Sequence, residues 1–173
     1  MTPEFSRIWR LDALGIDRQV DIAAEPEERV ALAKRFGLQS LDLLSATATL
    51  HPVAIGIEAK GRMKAKAIQS CVITGEPVPA MIDQPFTIRF VPEDLAPAGE
   101  EVELDAEDCD IMEHDGQMID LGEAIAQTLG LALDPYPRVP DADTRIKEAG
   151  ILSEEEAGPF GALASLKDKL KKG

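Results

Sequence analysis

The chain has 173 residues, 45% of them hydrophobic and 29% charged, which suits one globular domain with appended segments; no stretch is long and apolar enough to cross a bilayer as a helix, so membrane insertion is not expected. The formal net charge of −14 argues against a general nucleic-acid binder, and against DNA binding, because phosphate contacts need cations. Cys71 and Cys109 are too few for a disulfide framework, and the N-terminal MTPEFSRIWRLDALG lacks the basic start and apolar block of a secretory signal; the expectation is a cytoplasmic protein with reduced thiols.

In chain order, Phe5 to Ala13 reads as a first strand. Glu25 to Phe36 reads as a helix. Pro26 suits its first position, Glu27 and Glu28 its first turn, Lys34 and Arg35 its last, and Gly37 its stop. From Leu38 to Val91 the period falls to two. Leu41, Leu43, Ser45, Thr47 and Thr49 alternate with Asp42, Leu44, Ala46, Ala48 and Leu50, until Pro52 interrupts. Val53, Ile55 and Ile57 resume the pattern up to Lys60-Gly61, which reads as a hairpin turn. Met63 to Val72 returns, Gly75-Glu76-Pro77 turns the chain again, and Ile82, Phe86, Ile88 and Phe90 mark another strand. The expected fold is α+β, with an antiparallel meander sheet curled into a sandwich or partly closed barrel.

Pro92 to Gly99 reads as a loop. Ile111 and Met112 follow Cys109 in a short strand, and His114-Asp115-Gly116 reads as a turn. Asp120-Leu-Gly-Glu123 has capping-box spacing. It opens a second helix that buries Leu121, Ala124, Ile125, Thr128 and Leu129, with Gly130 as its expected end. Leu131 to Pro140 is closed to regular helix by Pro135, Pro137 and Pro140. The expected organisation is therefore a core domain over residues 1–140, an acidic linker over 141–158 and an amphipathic basic tail over 159–173. Phe160, Leu163, Leu166 and Leu170 stand at helical spacing in that tail.

The charge is unevenly placed. Thirteen Asp and Glu and no Lys or Arg fall between Glu93 and Glu123. Such a run is in the plainer reading a solvated surface. In the functional reading it docks a basic partner, with Glu100, Glu101, Glu103 and Asp105 as contacts. Opposed to it are Arg62, Lys64 and Lys66, which alternate and would share one strand face, and the tail lysines Lys167, Lys169, Lys171 and Lys172. The plainer reading is a charged exterior; the functional one is a local RNA contact. Aromatics make up 4% of the chain, so phosphate and shape would be the targets rather than stacked bases.

QSCVITGEPVP, Gln69 to Pro79, sets Cys71 three residues before Thr74 on a tight turn. One cysteine does not make a zinc site, since zinc takes three or four such ligands. Asp108, Asp110, His114 and Asp115 lack calcium-loop spacing. No nucleophile elbow, phosphate loop or HExxH occurs. We expect no catalytic residues, no metal and no cofactor.

QSCVITGEPV, a long acidic gap, MIDLGEAIAQTLGLALDPYPRVP and then GPFGALASLKDKL, in that order, resemble the YceD family of large ribosomal RNA subunit accumulation proteins. The resemblance places a turn motif at Cys71, Thr74, Gly75, Glu76 and Pro77, and a tail motif at Pro159, Phe160 and Leu163. Thr74 stands where the family carries a second cysteine, so a structural role for Cys71 fits better than a metal or redox one. The resemblance implies a non-enzymatic factor in ribosome assembly, with a ribosomal protein or pre-ribosomal particle as partner and local rRNA contact. The alternative that it leaves open is an adaptor that binds and regulates a phospholipid or fatty-acid synthesis enzyme.

Overall fold

A computed structural model describes residues 2–95 and 110–150. The chain runs β1 (Ile8–Arg10), β2 (Arg18–Ala23), α1 (Pro26–Arg35), β3 (Ser40–Pro52), β4 (Ile57–Ser70), β5 (Pro77–Pro92), β6 (Asp110–His114), β7 (Met118–Asp120), α2 (Leu121–Ala132) and α3 (Ala142–Glu148). The first expected strand is shorter than the sequence suggests, because residues Leu11–Ala13 turn into a 3-10 helix.

The fold is α+β, but the sheet differs from the expected one. Five strands stand in the order β2-β3-β4-β5-β6. Antiparallel pairing joins β2 through β5, whereas β6 runs parallel to β5. The sheet is mixed, and a long connection between β5 and β6 permits either sense of pairing where a tight turn would not. Nor does the sheet close, since β2 and β6 end it without pairing to each other. Closure is unnecessary because other elements cover one face. Val20, Ile22, Leu44, Ala46, Ala48, Leu50, Met63, Phe86, Ile88 and Phe90 pack there with Phe5, Leu32, Ile119, Leu121, Ile125 and Leu129 in one buried cluster. The helices and the small β1–β7 sheet thus supply the second layer that a sandwich would take from another sheet.

Lys60-Gly61 is not a turn. The hairpin closes four residues earlier, where Val53 N–H donates to the Gly56 carbonyl at 3.2 Å and Gly56 takes φ +88°. Gly61 lies inside β4, opposite Ala48 and Phe86. In β3 the register shifts between Leu41 and Leu43. That irregularity lets Leu41 and Leu44 both point inward, which strict alternation forbids.

Helix α1 matches expectation: Pro26 lies in its first turn and Glu25 N–H donates to Glu28 Oε2 at 2.7 Å. Helix α2 buries its expected face, yet it passes Gly130 and ends at Ala132. Gly130 serves packing instead, since a Cβ there would stand 2.8 Å from the Phe36 ring. Leu133 to Pro140 is irregular, as its prolines require. Within the stretch read as linker, Ala142–Glu148 forms a short helix, with Ala142 buried. The remainder of that stretch and the whole expected tail, including Pro159, Phe160 and Leu163, lie outside the described residues.

Candidate functional site

Because α1, α2 and the small sheet cover only one side, the other side of the five-stranded sheet faces solvent. Strand β4 runs through its middle. Ala59, Met63, Ala65 and Ala67 point to the core, so Lys60, Arg62, Lys64 and Lys66 all point outward and are exposed. Their cross-strand neighbours on β3 are Thr49, Thr47, Ser45 and Leu43, and on β5 Thr87, Pro85, Asp83 and Met81. The stripe expected at Arg62, Lys64 and Lys66 is thus one continuous row on an open face. Lys60, which in the sequence resembles the start of a hairpin turn, lies inside β4 and extends the row. The signal was present: the alternation of cations continues two residues upstream of Arg62.

The four cations are not equivalent. Arg62 Nε donates to Asp83 Oδ1 at 2.5 Å, and its Nη2 reaches the Asp83 carbonyl at 3.3 Å. Lys60, Lys64 and Lys66 make no ion pair among the described residues. Elsewhere on the face Glu58 pairs with Arg89 at 3.5 Å, and Asp21 lies opposite Thr47 on β2. The charge left for a ligand is therefore the three lysine ammoniums.

The turn motif sits at one end of β4. Gly75, at φ +73°, donates its N–H to the Cys71 carbonyl at 2.8 Å, and Cys71 N–H donates to the Glu76 carbonyl at 2.8 Å. The turn is tied outward as well. Val72 N–H donates to the Pro137 carbonyl at 2.9 Å, Gln69 Nε2 to the Asp134 carbonyl at 2.8 Å, and Arg145 pairs with Glu76 at 2.6 Å. Pro77 starts β5. These bonds fasten the β4–β5 connection to the segment after α2 and to α3, which is a structural task. No group of three or more metal-ligating side chains occurs among the described residues.

Cys71 is a free thiol, 3% exposed. Burial pushes it up, but the Thr74 hydroxyl and the backbone N–H groups of Thr74, Val139 and Ile73 outweigh that and lower it from 9.0 to about 7. Thr74 therefore stabilises the Cys71 thiolate. A depressed pKa means that the unfolded chain holds the proton more tightly, so stability rises with pH from about 7 to 9 and the gain is lost as pH falls through 7. We expect urea-unfolding midpoints to climb across that interval and Cys71→Ala to flatten the climb. An equal slope in the variant would assign it to other groups.

Of the acidic window, Glu100, Glu101, Glu103 and Asp105 lie outside the described residues. Three acids at its far end serve the fold. Asp120 caps α2 by accepting from Glu123 N–H at 3.1 Å, while the Glu123 carboxylate pairs with Arg35 at 2.8 Å and does not complete a capping box. Asp115 accepts from the N–H groups of Gln117 and Met118, which holds its carboxyl below the usual range. His114 is buried, with Nδ1 accepting from Gly116 N–H at 2.9 Å and Nε2 without a partner among the described residues.

A family model described as large ribosomal RNA subunit accumulation protein YceD matches residues 59–167, well over half of the chain. The match begins within β4, takes in Lys60 to Lys66 and the turn motif, and extends past α3. No curated protein and no solved structure matches the chain significantly.

Proposed function

The chain belongs to the YceD family, and from that membership we propose that it acts in the cytoplasm as a binding factor, not an enzyme, for accumulation of large-subunit ribosomal RNA during ribosome assembly. The observation that carries this reading is the family match over a strand that presents on an open face a row of lysines with no ion pair among the described residues. In this reading Arg62, Lys64 and Lys66 belong to the surface that meets rRNA in a pre-ribosomal particle. Glu100, Glu101, Glu103 and Asp105 meet a basic ribosomal protein.

A net charge of −14 is compatible with a local RNA contact. Charges separated by more than about 8 Å are largely screened at physiological ionic strength. The row on β4 therefore acts on a phosphate at close range, largely independent of distant carboxylates.

The test is a sucrose-gradient profile of ribosomal subunits in a deletion strain. We expect large subunits to be depleted and an expressed wild-type copy to restore them; an unchanged profile would refute the role. Pull-downs with and without ribonuclease separate the alternatives. Ribosomal partners support assembly, whereas a ribonuclease-insensitive lipid-synthesis enzyme would favour the adaptor. Neutralising Glu100, Glu101, Glu103 and Asp105 together should slow association with the basic partner, and added salt should narrow the difference. Normal association at low salt would reduce the acidic segment to a solubilising surface.

A further inference from the structure

We propose that the open face of the sheet binds the backbone of A-form duplex RNA through Lys60, Lys64 and Lys66, without reading base sequence. This deepens the rRNA reading above and rests on it for biological context. Its physical basis is separate: charge, hydroxyl placement and the absence of stacking groups among the described residues that flank the row.

The row has the reach of a backbone contact. A strand rises about 3.3 Å per residue, so Lys60 and Lys66 stand roughly 20 Å apart at their Cα atoms. Their ammoniums are compact point charges on flexible stems, which suits phosphate oxygens and not the edge of a particular base. The group best built for bidentate base recognition is Arg62, and Asp83 already holds it.

What the face lacks decides between forms of RNA. Unpaired strands are recognised chiefly by stacking their bases on aromatic rings. The outward positions of β3, β4 and β5 around the row are Leu43, Ser45, Thr47, Thr49, Lys60, Arg62, Lys64, Lys66, Met81, Asp83, Pro85 and Thr87. None carries an aromatic ring; Phe86 and Phe90 point into the core, and the nearest ring on this face, His51, lies beyond Thr49 at the end of β3 and is held by Asp17. An unpaired strand would find cations here and no platform. Duplex RNA needs no platform, because it presents phosphates and 2′-hydroxyls across a wide, shallow minor groove. Ser45, Thr47, Thr49 and Thr87 flank the lysines with hydroxyls that can donate or accept. Those hydroxyls offer partners to the 2′-hydroxyl that DNA lacks.

The carboxylates facing the row also make a prediction. Glu58 is engaged by Arg89, Asp21 is a strand further away, and Asp42 is exposed at the bulge beside Leu43, the residue opposite Lys66. Asp83 is beside the row and restrains Arg62. Removing its charge should both free a fourth cation and withdraw a repulsive group, so Asp83→Asn should bind duplex RNA more tightly than the native protein.

The experiment is fluorescence anisotropy on the full chain. The probes are a labelled RNA duplex longer than the roughly 16 base pairs that a double-stranded-RNA domain spans, polyuridine of equal length, and a DNA duplex of the same sequence. Each is titrated across salt. Three phosphate contacts predict a slope of log affinity on log salt of about −3 for the RNA duplex. We expect that duplex to bind more tightly than either other probe. Lys60→Glu, Lys64→Glu and Lys66→Glu together should weaken binding by about tenfold or more at low salt, with circular dichroism confirming the fold. Equal or tighter binding of polyuridine or of the DNA duplex would overturn the proposal. So would an unchanged affinity in a folded triple variant, or weaker binding by Asp83→Asn. In the deletion strain, a triple variant that loses duplex binding yet restores large subunits would detach this surface from the family role and leave that role standing. A deletion without effect on subunits would refute the role, while the anisotropy data would still decide the duplex assignment.

Discussion

Replacing Gly61 with alanine is expected to destabilise the protein by about 3 kcal/mol, the upper end of the usual cost of overpacking. A Cβ at this position would lie 2.0 Å from the Thr47 carbonyl oxygen and 2.7 Å from Ala48 Cα. Both are backbone atoms of β3, the strand paired with β4. No side chain can swing aside to relieve the clash; the two strands would have to separate and weaken their ladder. For a chain of this size each kcal/mol lowers the melting temperature by roughly 2–4 °C, so the expected loss is about 6–12 °C. Thermal and urea unfolding of the variant measure it directly. Native-like stability would mean that β3 and β4 tolerate a wider spacing than the one seen here.

Gly61 also explains why part of the fold was hidden in the sequence. Lysine-glycine after an alternating run resembles a hairpin turn, and glycine inside a strand has a second use, where another backbone comes close. Only the position of Thr47 distinguishes the two. Taken as a turn, Lys60-Gly61 makes Lys60 a loop residue rather than the first member of the row that β4 presents. The same ambiguity operated at Gly130, which resembled a helix stop and instead makes room for Phe36.

Other features were legible because their physics is local. The start of α1 follows from Pro26 and Glu28, the irregular run after α2 from its prolines, and the outward stripe from period-two alternation. Alternation says which side a residue faces but not which strand lies beside it, so the parallel pairing of β6 and the open sheet could not be read from it. The same limit applies to Asp83, whose grip on Arg62 depends on β4–β5 register. It applies also to Cys71, whose lowered thiol depends on Val139 brought back from after α2.

Asp120→Ala is expected to cost about 2–4 kcal/mol, the sum of a lost helix cap at about 1 kcal/mol and a stranded N–H at about 1–3 kcal/mol. Asp120 stands at the junction of three elements. Its Oδ1 accepts from Glu123 N–H at 3.1 Å, which caps α2, and from Arg7 N–H at 2.7 Å; its Oδ2 accepts from the Ser6 hydroxyl at 2.5 Å. Leu121 N–H returns a bond to the Arg7 carbonyl at 3.0 Å, and Gly122 has no room for a Cβ against Phe5 and Arg7. One carboxylate therefore fastens the N-terminal segment to the start of the helix that fills the core. The hydroxyl of Ser6 can turn to water, but the Arg7 amide is fixed by the backbone and cannot. Asp120→Asn separates geometry from charge. Its amide oxygen can still accept from Glu123 and Arg7, so it should recover more than half of the loss if those bonds carry the effect. Urea midpoints for the native protein and both variants provide the comparison. If Asp120→Asn is as unstable as Asp120→Ala, the negative charge at the helix start matters more than the bonds, and the cap is not what joins the segment to α2.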